Sequence, residues 1–144
     1  MLLRPATMDD AALLYAWRTD PLTRAASHQT STIDFASHLA WLKRSLALLS
    51  RRIIIAEADG VPVGTMRTDI EDGITVLSWT VAPEHRGRGI GRTMVQRLVS
   101  TLPGILRAEV KCSNTASLRI AERAGFMAIS EVDGMVYLER PITY

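Results

Sequence analysis

The spacing of apolar positions changes several times along the chain, and each change predicts an element. "LLRPA" reads as a short strand closed by Pro5. Thr7 then offers an N-cap to "MDDAALLYAWR", with Asp10 as the second half of a capping box and Leu13, Leu14 and Trp17 as the apolar stripe; this helix stops at "TDP". After a polar stretch, Ser31 or Thr32 starts a second helix in which Phe35, Leu39, Leu42, Leu46 and Leu49 recur three and four apart, ending near Ser50.

From Arg51 the period shortens. "RRIIIAEADGVPVGTMRTDIEDGITVLSWTVAP" holds three β-rich runs split by "ADG" and "EDG", where Gly supplies the positive φ of a tight turn, and predicts three antiparallel strands. After Gly89, the positions Ile90, Met94, Leu98 and Leu102 fall four apart and predict a helix that ends at Pro103 and Gly104. "ILRAEVK" is a strand, "NTASLRIAERAG" a helix opened by an Asn cap and closed by Gly, and "FMAISEVDGMVYLER" a hairpin around Asp133 and Gly134.

The order β-α-α-β-β-β-α-β-α-β-β predicts a mixed α/β, α+β-like fold: one central sheet of about seven strands, mostly antiparallel with one parallel pair, flanked by about four helices. The parallel pair comes from a right-handed crossover, strand 74–82, helix from 89, strand 105–110.

At 144 residues, 47% hydrophobic and 22% charged, the chain has the composition of a globular protein with a real core, and the absence of a repeat or linker predicts one domain over 1–144. A net charge of +2 cannot coat a surface, so an anion site has to be a local cluster, and nucleic acid is not implied. No stretch approaches the ~20 apolar residues of a membrane span, and the N-terminus lacks a signal-peptide core, which together give a cytoplasmic, membrane-free expectation. Cys112 stands alone, so no intrachain disulfide forms, and it is expected as a small buried hydrophobe at a strand end.

The candidate chemistry concentrates in "VAPEHRGRGIGRTM", residues 81–94. A strand ends here and a helix begins, which presents unpaired N–H groups and the positive end of the helix dipole. Gly87, Gly89 and Gly91 let the chain turn and let phosphate oxygens approach the backbone, while Arg86, Arg88 and Arg92 add charge. A nucleotide-triphosphatase loop needs Gly-Lys before Ser or Thr, and Gly91 precedes Arg92. A dinucleotide fingerprint needs a third glycine where Arg92 stands.

The loop instead resembles the signature of the GNAT superfamily of acyl-CoA-dependent N-acetyltransferases: Arg or Gln, two residues, Gly, one residue, Gly or Ala, filled by Arg86, Gly89 and Gly91. "VAPEH" and "NTASLRIAERAGF" also look like the family's strand exit and its Asn-led helix, and the element order is that of its fold. The resemblance implies acetyl-CoA as acetyl donor, with no metal. The backbone from Arg86 through Gly87, Arg88, Gly89, Ile90 and Gly91 to Arg92 would hold the pyrophosphate. Val81 would pair with the pantetheine arm, Val81 or Ala82 would give an N–H to the oxyanion, and Asn114 and Ser117 would reach the cofactor. Many relatives carry a Tyr seven residues after the Asn; here that residue is Ala121. Ser117 and Tyr137 are the substitute candidates for protonating the leaving thiolate, and Glu71, Asp69, His28 and His38 the candidates for a base, with His38 beside Trp41 also readable as a packed core histidine.

The stretch "WRTDPLTRAASHQTSTIDFASHLAWL" looks like relatives that acetylate amino sugars carried on nucleotides, with His28, Trp41 and Arg67 as acceptor-binding candidates. Protein N-termini, amino acids or polyamines are the alternative acceptors. A homodimer stays open. Two readings of other classes are a non-catalytic acyl-CoA sensor, suggested by Ala121, and a nucleic-acid binder using "HRGRGIGR", which no interleaved aromatic supports.

Overall fold

The computed structural model describes residues 1–28 and 31–142. In chain order its elements are β1 (Leu2–Pro5), α1 (Ala11–Thr19), α2 (Pro21–Ala26), α3 (Phe35–Ala47), β2 (Arg51–Ala58), β3 (Val61–Glu71), β4 (Ile74–Val81), α4 (Ile90–Val99), β5 (Leu106–Lys111), α5 (Thr115–Arg123), β6 (Met127–Val132) and β7 (Met135–Arg140). Short 3-10 turns at Met8–Asp10 and Pro83–His85 precede α1 and follow β4. The seven strands form one sheet in the order β1-β2-β3-β4-β5-β7-β6. Every neighbouring pair is antiparallel except β4 and β5, the parallel pair expected from the crossover.

The three hairpins turn on Asp-Gly pairs in which both residues have positive φ: Asp59 and Gly60, Asp72 and Gly73, Asp133 and Gly134. This is the twist that a two-residue turn must have to match two right-twisted strands, and Asp and Gly tolerate it. At the N-terminus Thr7 and Asp10 form the full capping box, and Asp10 also takes two 2.9 Å hydrogen bonds from the Arg4 guanidinium. Arg4 and the Thr7 N–H hold the Asp10 carboxyl below the usual carboxylate range, against the opposing effect of burial.

The alternation of β2 sets the two faces of the sheet. Ile54 and Ala56 pack with Met94, Val95 and Leu98 of α4 and Ala121 of α5. Ile53 and Ile55 turn the other way, onto Leu14 and Trp17 of α1 and Leu42 of α3. On β4 and β5, Leu77, Leu106, Ala108 and Val110 join the α4–α5 core, so their neighbours Ser78, Arg107 and Glu109 point to the other face, where they are exposed.

Three expectations need correction. A third N-terminal helix, α2, lies between the two read from the sequence, so there are five; it is six residues long and buries none of them, which removes the periodic signal. The next helix starts at Phe35 on an Asp34 cap, whose Oδ1 accepts from Ser37 N at 2.6 Å, and ends at Ala47. Its buried residues are His38, Leu42 and Ser45, while Leu49 is fully exposed and Phe35 and Leu39 are 42% and 37% exposed. Polar groups rotate this face inward, because Ser45 takes a hydrogen bond from Arg51 and His38 packs on Tyr15. Cys112, one residue beyond β5, is exposed rather than buried.

Candidate active site

β4 and β5 are paired only at Thr75 with Leu106 and Val76 with Arg107. β4 then continues to Val81 and β5 to Lys111 without pairing to each other, so the sheet opens into a wedge. The direction of β4's backbone groups follows from one bond: Ala82 N–H donates to Val63 O at 2.8 Å. In an antiparallel ladder the alternate residues Thr80 and Ser78 then face β3 as well, and the N–H and C=O groups of Leu77, Trp79 and Val81 face the wedge. Thr75 N–H, in phase with them, reaches Ile105 O at 3.2 Å on the β5 side. The wedge wall is therefore a strand edge offering backbone donors and acceptors. Ala82 is not one of them: its N–H is taken and it is 1% exposed, so of the expected oxyanion donors only Val81 has its N–H turned to the opening.

At the end of β4 the chain turns through Gly87 and Gly89, with φ of 76° and 75°, into α4. Gly89 is the N-cap in left-handed conformation, without a side-chain cap, and the helical ladder begins at Thr93 N–H to Gly89 O. The N–H groups of Ile90, Gly91 and Arg92 lie before that first bond, at the positive end of the helix. An added Cβ would meet nothing within 4 Å at Gly87 or Gly89, so their surroundings are open. Gly91 also has a packing role. A Cβ there would fall 2.7 Å from Ile120 Cδ1 and 3.1 Å from Val81 Cγ2, so this glycine lets α4 press against α5 and β4. Arg88 and Arg92 are exposed, whereas Arg86 turns inward and pairs with Asp20 at 2.7 Å.

Across the wedge, Asn114 caps α5, its Oδ1 accepting from Ser117 N at 3.2 Å, and both residues are half-buried. Ala121 is fully buried in the core beneath α5. Two cavities, of about 180 and 380 Å³, both touch Pro5, Arg52 and Ile54 at the far edge of the sheet, away from the wedge.

The expected proton carriers scatter. Glu71 is exposed at the β3–β4 turn opposite Ile74, seven residues along β4 from Val81, or roughly 23 Å at strand rise, so it is remote from the wedge opening. Asp69 is ion-paired with two guanidiniums, that of Arg51 through a hydrogen bond of 2.6 Å and that of Arg67 with its Nε at 3.0 Å, so its charge is already compensated. His38 is 2% exposed between the rings of Tyr15 and Trp41, its Nε2 buried without a partner, and burial pushes its pKa down. It is packed in the core and closed to an acceptor. Tyr137 is half-buried on β7, paired across the sheet with Glu109. Trp41 is half-buried with the guanidiniums of Arg51 and Arg67 each 6.0 Å from its ring. His28 is exposed just after α2, at the edge of the described residues; Gln29 and Thr30 of the same stretch lie outside them.

Comparison with known proteins decides the family. The acetyltransferase (GNAT) domain model matches residues 1–127. The chain belongs to the GNAT acetyltransferase family. It is 30% identical to the L-2,4-diaminobutyric acid acetyltransferase of Streptomyces coelicolor, over 96% of this chain and 84% of that one. It is 25% identical to the L-methionine sulfoximine/L-methionine sulfone acetyltransferase of Salmonella typhimurium, over 86% and 78%. The solved structure of the aminoglycoside acetyltransferase AAC(6')-Ib with paromomycin and acetyl-CoA shares the fold, with a TM-score of 0.83, 24% identity, and 96% and 92% of the two chains covered.

Membership makes this chain an acyltransferase whose acetyl donor is acetyl-CoA. Two residues of this GNAT domain escaped the sequence reading. Glu109 is exposed on the open face beside the wedge and has no ion-pair partner among the described residues. Strict alternation in "LRAEVK" would have found it, since Leu106, Ala108 and Val110 are buried. Trp79 carries a buried Nε1 without a partner at the strand edge that lines the wedge; no pattern in the sequence marks it.

Proposed function

We propose that this enzyme acetylates the amino group of a small amino acid, using acetyl-CoA bound through the start of α4 and the β4 edge. The observation that carries the reading is the wedge with its outward row of backbone groups, ending at bare N–H donors in a glycine turn. The donors of Ile90, Gly91 and Arg92 with the Gly87–Gly89 backbone hold the diphosphate, helped by Arg88 and Arg92. The pantetheine arm lies along Val81 and Trp79 as an added strand, with Asn114 and Ser117 flanking it from α5. The amine attacks the thioester carbon, the oxyanion takes a hydrogen bond from an N–H of the β4 edge, and the C–S bond breaks as the nitrogen loses its proton. Glu109 receives that proton through water, and the departing thiolate takes a proton from solvent through a water ordered by the hydroxyl of Ser117, or from the phenol of Tyr137, which solvent then reprotonates.

The charge of the open face supports an amino acid over a polycation. Asp69 is neutralised by Arg51 and Arg67, and Glu139 by Arg107 at 3.1 Å, so the face has no acidic excess to hold an aminoglycoside. Arg67, 40% exposed and beside Trp41, supplies a cation for an acceptor carboxylate. The relatives named for 2,4-diaminobutyrate and methionine sulfoximine agree with this; a nucleotide-linked amino sugar gains no support from them. Thiol release measured over a panel of amines tests the proposal. L-amino acids should turn over, and Arg67→Ala should raise their KM about tenfold with kcat little changed, the loss of roughly one charge-assisted hydrogen bond in binding. Faster turnover with an aminoglycoside than with any amino acid would overturn it.

A further inference from the structure

The short helix α2 buries none of its residues, and Leu22 within it is 68% exposed, so no apolar contact explains where it sits. Polar ties explain it. Arg86, the first residue of the glycine turn after β4, sends its Nη2 to Asp20 Oδ2 at 2.7 Å and to Thr23 Oγ1 at 2.8 Å. Asp20 is the N-cap of α2, and the same Oδ2 accepts from Thr23 N at 3.0 Å. At the other end of the helix, Lys111 Nζ donates to Ala25 O at 2.7 Å. Arg86 follows the strand on one side of the wedge, and Lys111 ends the strand on the other. A helix with no hydrophobic footing is thus strapped to both walls of the opening.

We propose that Asp20 and Thr23 are positioning residues: through Arg86 they lock α2 to the coenzyme turn, so that the rim of the acceptor opening takes its place from the elements that hold acetyl-CoA. The inference rests on the function proposed above for the wedge and adds that its two substrate sites are mechanically joined. The arrangement also accounts for an arginine of the phosphate turn that is spent on a carboxylate. Arg86 fixes the direction of its own backbone by anchoring its side chain, and leaves the diphosphate to the N–H groups and to Arg88 and Arg92. Arg86 draws the Asp20 carboxyl below the usual carboxylate range, so the tie stays charged throughout the neutral and mildly acidic range.

Hydrogen exchange and steady-state kinetics on the full chain test this. In Asp20→Asn and in Thr23→Val, amides 22–26 should exchange about tenfold faster than in the parent, as expected for removing one charge-assisted hydrogen bond. Acetyl-CoA should slow exchange of α2 in the parent and not in Asp20→Asn. The KM for the amine should rise about tenfold in both variants and in Lys111→Met, with kcat changed far less, and Thr23→Ser should restore the parent value. A role in stability alone would move the melting temperature without separating KM from kcat. Unchanged α2 exchange in both Asp20→Asn and Thr23→Val, or equal protection of α2 by acetyl-CoA in parent and Asp20→Asn, would overturn the inference. The comparison without ligand reads the strap, and the parent's own affinity for acetyl-CoA reads the proposed function, so the two fail separately.

Discussion

Asp10 serves three partners with one carboxylate: the Arg4 guanidinium twice and the Thr7 N–H once, all at 2.9 Å, with only 9% of its side chain exposed. Replacing it by Asn removes the charge and leaves Arg4 half-satisfied, and the expected cost at pH 7 is about 2 kcal/mol by denaturant unfolding. The pH dependence has a definite sign. The folded-state pKa is depressed, so the stabilisation is complete above the unfolded value of about 3.9 and disappears as pH falls through the lower folded value; Asp10→Asn and the parent should converge below pH ~4. A constant difference down to pH 2 would contradict the assignment. Thr7 and Asp10 were legible in the sequence because a capping box is local. The pairing of Arg86 with Asp20 spans 66 positions and was not, because no spacing rule connects them. Nor was the neutralisation of Asp69, which needs β2 and β3 in register to bring Arg51 opposite it.

At the scale of elements, the α4–α5 contact depends on Gly91. Ala there would press on the far end of Ile120, and such crowding of a packed core costs roughly 1–2 kcal/mol. Ile120→Val removes the offending Cδ1, so in the Gly91→Ala background it should restore most of the lost stability, although alone it should cost about 1 kcal/mol. Additive losses in the double variant would show that the two side chains do not meet. The strands and hairpins were legible because Asp-Gly turns and alternation carry their own signal. α2 was invisible because a helix held by side-chain ties from distant strands needs no apolar face. The wedge was implied only by the family resemblance, through a pantetheine arm that pairs with Val81. The residues of β4 and β5 by themselves look like ordinary strands throughout.

For the molecule as a whole, the sheet divides the labour between its faces: α4 and α5 bury one side from β2 through β5 and β7, leaving the edge strand β6 exposed, while α1 and α3 cover the other only over its first strands. The uncovered remainder, from Ser78 to Glu109 and Tyr137, is where an acceptor can meet a thioester passing through the gap. Because the net charge is only +2, a general field cannot recognise the coenzyme, and the proposed function assigns that task to the turn at 87–92. Calorimetry with two thioesters measures this most directly: acetyl-CoA, and S-acetyl-pantetheine, which has the same arm and acetyl group but no diphosphate. Acetyl-CoA should bind at least about a hundredfold more tightly, equivalent to roughly 2.7 kcal/mol for the diphosphate together with the adenosine 3′-phosphate it carries. Equal affinity for the two compounds would contradict the account.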